Sequence, residues 1–138
     1  MRVGLGFDAH RFGGDGPVTL AGVVVSSERG LLGTSDADVA VHAVADALLG
    51  AAALGDLGTH FPSSDPRWEG ANSMDLLKRV VTMLTEAGHR PGNVDLTIVS
   101  QSVRVAPHRA TMRTNLAAVL AIDVDAVSVK ATTTDHLG

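Results

Sequence analysis

The stretch TSDADVAVHAVADALLGAAALGD, residues 34–56, constrains the fold more than any other part of the chain. From Val39 to Leu54 it is almost wholly Ala, Val and Leu, with Asp38 just ahead of it and His42 and Asp46 within it. These three polar residues are four apart, close to one helical turn, so they stack along one side of an otherwise apolar helix. A helix apolar on nearly every other side is a buried helix. Carboxylates and an imidazole placed there need partners, because a dry, unpaired polar group costs roughly 2–7 kcal/mol. A metal, a ligand or another chain would serve.

The 138 residues fit one domain, 1–138, and bury enough surface to need no disulfides. Without cysteine there is neither a thiolate zinc site nor a thiol nucleophile. A net charge of −4 and one Trp, three Phe and no Tyr argue against nucleic acid as a partner. The N-terminus MRVGLGFDAH lacks the apolar core of a signal peptide, and no apolar run has membrane-spanning length, so a cytoplasmic protein is expected.

Residues 2–11 read as a first strand that places Asp8 and His10 on one face. Val18 to Leu20 and Val23 to Val25, separated by Ala21-Gly22, read as a hairpin. The main helix starts near an N-cap at Ser35 and runs to about Leu54, with Asp38 as an acidic version of the capping box. Gly55 to Gly70 is loop. A second helix is predicted from Ser73 to Ala87 with Gly88 closing it, and a third from Pro107. Val94 to Val99 and Ala126 to Thr132 are predicted strands. The order implies an α+β chain with one mixed sheet and helices packed on it. Because the sequence stops at Gly138 straight after a strand, an unpaired sheet edge is expected.

Asp8, His10 and His42 are the sharpest chemical set. Two nitrogens and a carboxylate oxygen match a catalytic zinc site whose fourth position is left for substrate. The plainer alternative is a pair capping a strand end and a satisfied core histidine. The carboxylate stripe on the same helix tips the balance to the metal. Asp38 and Asp46 flank His42; either would orient its imidazole, while helix capping and an ordinary buried hydrogen bond are the competing roles. Asp56, between glycines, suits a substrate hydroxyl or simply a turn. Lys130 to Asp135 gathers a cation, hydroxyls and amides as a diphosphate requires, and Arg104 is a further phosphate clamp in prospect.

Gly6-Phe7-Asp8-Ala9-His10, the run from Ser35 to His42, Asp46 to Gly50, Leu54 to Gly58 and Lys130 to Thr134 closely resemble the 2-C-methyl-D-erythritol 2,4-cyclodiphosphate synthase family. Five motifs in order, spread over essentially the whole chain, make the resemblance specific. It implies an α/β sandwich: a mixed four-stranded sheet plus a small hairpin, with helices on one face and the sheets of a homotrimer packed around a three-fold axis. It also implies a lyase of the non-mevalonate isoprenoid pathway. That enzyme converts 4-diphosphocytidyl-2-C-methyl-D-erythritol 2-phosphate into the cyclic diphosphate with release of CMP. On this resemblance Asp8, His10 and His42 fall on zinc ligands, and Asp135 on the position of a second cation, magnesium or manganese. Thr133 falls on a transition-state stabiliser. Substrate contacts fall on Asp8, Ala9 and His10; on Thr34 and Ser35; on Asp56, Leu57 and Gly58; and on the loop Phe61, Pro62, Ser63, Ser64 and Asp65. The cytidine-diphosphate pocket of an adjacent subunit falls on Ser100, Gln101, Ser102, Val103, Arg104, Val105 and Ala106, together with Ala131, Thr132, Thr133, Thr134 and Asp135.

The sequence departs from the family's pattern in three places. Thr34 replaces a histidine assigned to the transition state; losing such a donor typically costs ~10²–10³ in rate, so slower turnover with zinc binding intact is expected. Ser63 stands where an Asp is common. The family continues past Gly138 with a closing strand that is not in this sequence. The rival expectations are a trimeric zinc- and cytidine-nucleotide-binding protein without turnover and, more distantly, an unrelated zinc hydrolase.

Overall fold

The computed structural model describes residues 1–26, 37–68 and 70–137. The chain forms β1 (Val18–Leu20), β2 (Val23–Ser26), α1 (Val39–Ala51), α2 (Leu57–His60), α3 (Ser73–Glu86), β3 (Val94–Val99), α4 (Arg109–Leu120) and β4 (Val127–Thr132). Short 3₁₀ turns lie at Pro66–Trp68, Ala106–His108 and Val124–Ala126. The α+β class is as the sequence implies.

Helix α1 is the centre of the core. It buries Ala40, Val41, Val44, Ala45, Leu48 and Leu49, a wide stripe at helical spacing. Helix α3 packs on it through Leu76, Leu77, Val80 and Leu84, with polar residues outward. It begins at an N-cap, Asn72, whose side chain accepts from Met74 N, and Gly88 follows its end at φ +82°. Helix α4 contributes Met112, Leu116, Ala117 and Leu120.

The N-cap of α1 is Asp38, which accepts from Val41 N at 3.1 Å. Ser35, the expected cap, lies outside the described residues. Asp38 is fully buried and also accepts from Ala21 N and Gly22 N, each at 2.9 Å. Those two residues, at φ +50° and +76°, form the two-residue turn joining β1 to antiparallel β2. One carboxylate therefore ties the hairpin to the start of the central helix.

Strands β3 and β4 pair in parallel, in register from Val94↔Val127 to Val99↔Thr132. Leu96, Ile98, Val127 and Val129 face the core. Helix α4 makes the crossover that a parallel pair requires. It also covers the outer edge of β4, because Arg109 Nε donates to Val129 O and Arg113 Nε to Val127 O.

The predicted first strand does not form. Residues 1–10 run as an extended segment along α1. The backbone at Gly4 and Gly6 lies so close to the carbonyls of Ala47 and Ala43 that a Cβ at either position would collide with them. Val3, Leu5 and Phe7 point the other way and are exposed. A cleft of about 1450 Å³ lies between this segment and β3. The sheet content of the described residues is thus two two-stranded pieces, β1–β2 and β3–β4, in place of the predicted four-stranded sheet.

Candidate functional site

The segment that fails as a strand is what builds the site. Even-numbered residues face α1: Gly4 lies against Ala47 and Gly6 against Ala43, so the chain climbs one helical turn for every two residues. Continuing that run brings Asp8 and His10 to His42. Asp8 Oδ2 lies 2.9 Å from His10 Nε2 and 3.2 Å from His42 Nδ1. Asp8 Oδ1 accepts from Ala9 N at 2.9 Å, which turns Oδ2 towards both imidazoles. The rings are 5.3 Å apart and tilted at 57°. All three side chains are half-buried, at 26, 13 and 15% exposure for Asp8, His10 and His42.

This donor set fits a divalent cation. The three residues are the one group of metal-ligating side chains of this kind among the described residues, their donor atoms within 4.8 Å of one another. Ligands at 2.0–2.1 Å around tetrahedral zinc stand about 3.3 Å apart, near the separations found here. Among the described residues, His10 Nδ1 is buried without a hydrogen-bond partner.

Neither aspartate on the helix orients His42. Asp38 is committed to the hairpin and the helix start, and Asp46 Oδ1 accepts from Leu57 N at 2.8 Å. The group on the far nitrogen is Ser73, whose Oγ lies 2.9 Å from His42 Nε2. Sequence reasoning missed it, because a serine starting a helix carries no mark beyond ordinary capping. Its signal would have been Asn72, a better cap one residue earlier.

Downstream of α1, Asp56 caps α2: its Oδ1 accepts from Thr59 N and Thr59 Oγ1. The Thr59 hydroxyl bond, then the backbone bond, hold the carboxyl below its ordinary value. Leu57 and Gly58 form the first turn. The loop of Phe61, Pro62, Ser63, Ser64 and Asp65 follows directly. Asp65 grips Arg67 through Nε and Nη2, and this hydrogen bonding lowers its carboxyl and raises the guanidinium. Phe61 meets Trp68 edge-on at 4.9 Å, and Arg67 and Arg79 both lie over the indole.

The expected nucleotide segments come together because β3 and β4 are parallel, so the loops after them leave at the same end, where open α/β sheets place their ligands. Ser100 N donates to Thr132 O. Ser100 Oγ accepts from Ser102 N and Val103 N. Gln101 Oε1 accepts from Thr134 Oγ1 and His136 N. Thr133 Oγ1 accepts from Asp135 N, and both residues are exposed. Val105 is buried, whereas Arg104 and Ala106 are exposed; Ala131 and Thr132 are exposed as the strand leaves the core. A cavity of about 640 Å³ beside this loop is lined by Phe12, Ser102, Val103, Arg104 and His108 among others. Lys130, the cation expected for a diphosphate, is instead paired with Asp95 at 2.7 Å across the strands. Thr34 and Ser35 lie outside the described residues.

Fold and site define an α+β protein with a half-buried cluster suited to a divalent metal and a second polar region at the end of a parallel strand pair. No helix among the described residues is long and apolar enough to cross a membrane. The chain matches the model of the YgbB family over residues 1–138. It is 53% identical to the 2-C-methyl-D-erythritol 2,4-cyclodiphosphate synthase of Symbiobacterium thermophilum, over 100% of this chain and 88% of that protein. A solved structure of such a synthase in its CDP-bound form superposes at a TM-score of 0.91 with 33% identity, covering 99% of this chain and 91% of that one. The bifunctional IspDF of Campylobacter jejuni matches at 0.91 and 39%, this chain spanning 37% of it. The chain belongs to the YgbB family of 2-C-methyl-D-erythritol 2,4-cyclodiphosphate synthases.

Proposed function

We propose that this chain cyclises 4-diphosphocytidyl-2-C-methyl-D-erythritol 2-phosphate to the 2,4-cyclodiphosphate and releases CMP, as a lyase of isoprenoid biosynthesis. The observation that carries the reading is Asp8 Oδ2 facing His10 Nε2 and His42 Nδ1 at once. The ring closure needs no protein nucleophile. An oxygen of the substrate's own 2-phosphate forms a bond to the β-phosphorus as the bond from that phosphorus to the CMP oxygen breaks. The protein positions the phosphates and neutralises charge.

Asp8, His10 and His42 hold zinc, which when bound polarises a phosphoryl group. Asp56, whose Oδ1 is taken by Thr59, keeps Oδ2 for a substrate hydroxyl. Thr34, Ser35, Gly58 and the loop 61–65 complete the methylerythritol side. The loop 100–106 and residues 131–135 cradle the cytidyl diphosphate from a neighbouring subunit of a homotrimer. There the Thr133 hydroxyl donates to the developing charge and Asp135 takes the second cation, magnesium or manganese. The site is cytoplasmic in this reading.

The test is CMP release from the diphosphocytidyl substrate with Zn²⁺ and Mg²⁺. Stoichiometric CMP and cyclic product support the reading. CDP binding with no CMP formed leaves the non-catalytic binding protein, and linear phosphates leave a hydrolase.

A further inference from the structure

One side chain joins the loops that follow β3 and β4. Ser100 N donates to Thr132 O at 3.0 Å, just past the end of β3. Ser100 Oγ accepts from Ser102 N and Val103 N at 3.3 and 3.1 Å, which fixes the turn that carries Gln101. From there Gln101 reaches a segment 35 residues further along: its Oε1 accepts from His136 N at 3.0 Å and from Thr134 Oγ1 at 2.9 Å. A backbone N–H only donates, so the bond to His136 fixes which end of the Gln101 amide faces that segment. Both lone pairs of Oε1 are then taken, and this oxygen is closed to a nucleotide.

The segment it holds has an unusual backbone. Leu137 N donates to Thr134 O at 3.1 Å, closing a four-residue turn around Asp135 and His136, at φ +53° and +60°. Among the described residues these are the only two adjacent non-glycine residues with positive φ. Turns with φ above zero at both central positions are dominated by glycine, asparagine and aspartate. A residue with a Cβ stays there at a cost, and only where surrounding contacts over-determine the backbone. The two bonds to Gln101 fall on either side of Asp135. Within the turn, Asp135 N donates to Thr133 Oγ1 at 3.2 Å. An oxygen that accepts there keeps its own proton to donate, so the turn also sets where the Thr133 hydroxyl points.

We infer that Gln101 is a positioning residue, whose Oε1 pins the left-handed turn at Asp135 and His136 and through it aims the Thr133 hydroxyl. This rests on the reading of Thr133 as the group that donates to the developing charge. Acting through the turn, Gln101 governs the chemical step. A side chain that touched the nucleotide directly would instead govern binding, so the two roles separate in kinetics.

The test uses the full chain and two variants at this exposed position: Gln101→Leu removes the acceptor and Gln101→Glu restores one. In amide hydrogen exchange followed by NMR, His136 N–H of Gln101→Leu should exchange at least about tenfold faster than in wild type, and Gln101→Glu should return it to near the wild-type rate. Equal exchange in wild type and Gln101→Leu overturns the inference, as does a Gln101→Glu protein that exchanges as fast as Gln101→Leu. In CMP release with Zn²⁺ and Mg²⁺, Gln101→Leu should lower kcat about 10–100-fold with KM within about threefold of wild type. A raised KM with kcat unchanged marks direct substrate contact and overturns it. Added to Thr133→Ala, Gln101→Leu should deepen the loss by less than about twofold, because it acts through that hydroxyl; losses that multiply overturn it. If the wild-type protein releases no CMP, the reading of the site fails, and hydrogen exchange at His136 alone decides whether Gln101 holds the turn.

Discussion

Replacing Asp38 by Asn separates two roles for the residue that begins the central helix. In the structure its Oδ1 accepts from Ala21 N and Val41 N, and its Oδ2 from Gly22 N, with no exposure to solvent. The amide introduced by Asp38→Asn keeps one oxygen for the first two donors and turns an NH₂ towards the third. That loses a hydrogen bond to a charged group, about 1.5–3 kcal/mol, and leaves two donors facing each other in a dry place. The expected cost is about 2–4 kcal/mol. For a chain of this size, at roughly 4 °C per kcal/mol, Tm falls by about 8–16 °C. Urea unfolding of metal-free protein, read by far-UV circular dichroism, gives the free energy, and Zn²⁺ competition gives the affinity of what remains folded. A stability change below about 0.5 kcal/mol with a large loss of zinc affinity would refute this reasoning and return Asp38 to the imidazole.

Gly6→Ala should cut Zn²⁺ affinity at least tenfold, measured by chelator competition, because its Cβ meets the Ala43 carbonyl and lifts the segment carrying Asp8 and His10 off α1. Thr133→Ala should lower kcat for CMP release by ~10²–10³ while Zn²⁺ binding stays unchanged. Stability should hold from pH 7 to about pH 5 and fall below the ordinary carboxylate value of 3.8, because Asp56, Asp65 and Asp95 are all depressed in the fold. Such groups contribute above the unfolded pKa and lose that contribution as pH falls through the folded one, so Asp95→Asn should flatten the acid limb of a urea-midpoint profile.

What the sequence made legible follows from regular periodicity. The α3 pattern and the β-branched run at Val94–Val99 formed elements close to their predicted bounds, because each signal repeats over several turns or pairs. Helix α1 formed over Val39–Ala51, starting from its cap Asp38 and ending short of the predicted Leu54. The metal cluster was legible because Asp8 and His10 share a side in any extended chain. Capping by Asp38 and an ordinary hydrogen bond for Asp46 were among the expected roles, but their long-range partners were not legible. Helical spacing fixes which side of α1 they occupy, but their partners are a hairpin turn 16 and 17 residues earlier and a backbone amide 11 residues later. Lys130 illustrates the same limit. Its strand was predicted, yet only the parallel register of β3 against β4 sets Asp95 within reach of its ammonium.

The N-terminal segment shows how one pattern supports two structures. Alternation of Gly4, Gly6, Asp8 and His10 with Val3, Leu5 and Phe7 is the period of a strand, and a strand is the natural prediction. Period two, however, records only that alternate side chains face opposite ways. It does not say whether the backbone pairs with another strand or lies on a helix. The glycines distinguish the two cases. In a strand interior they weaken packing, with nothing gained. Against α1 they are required, since Ala43 and Ala47 leave no room for a Cβ. That close approach sets the height at which Asp8 meets His42. The metal cluster therefore depends on Gly4 and Gly6 as much as on its own donors, and a mutation that touches no ligand should still loosen the site.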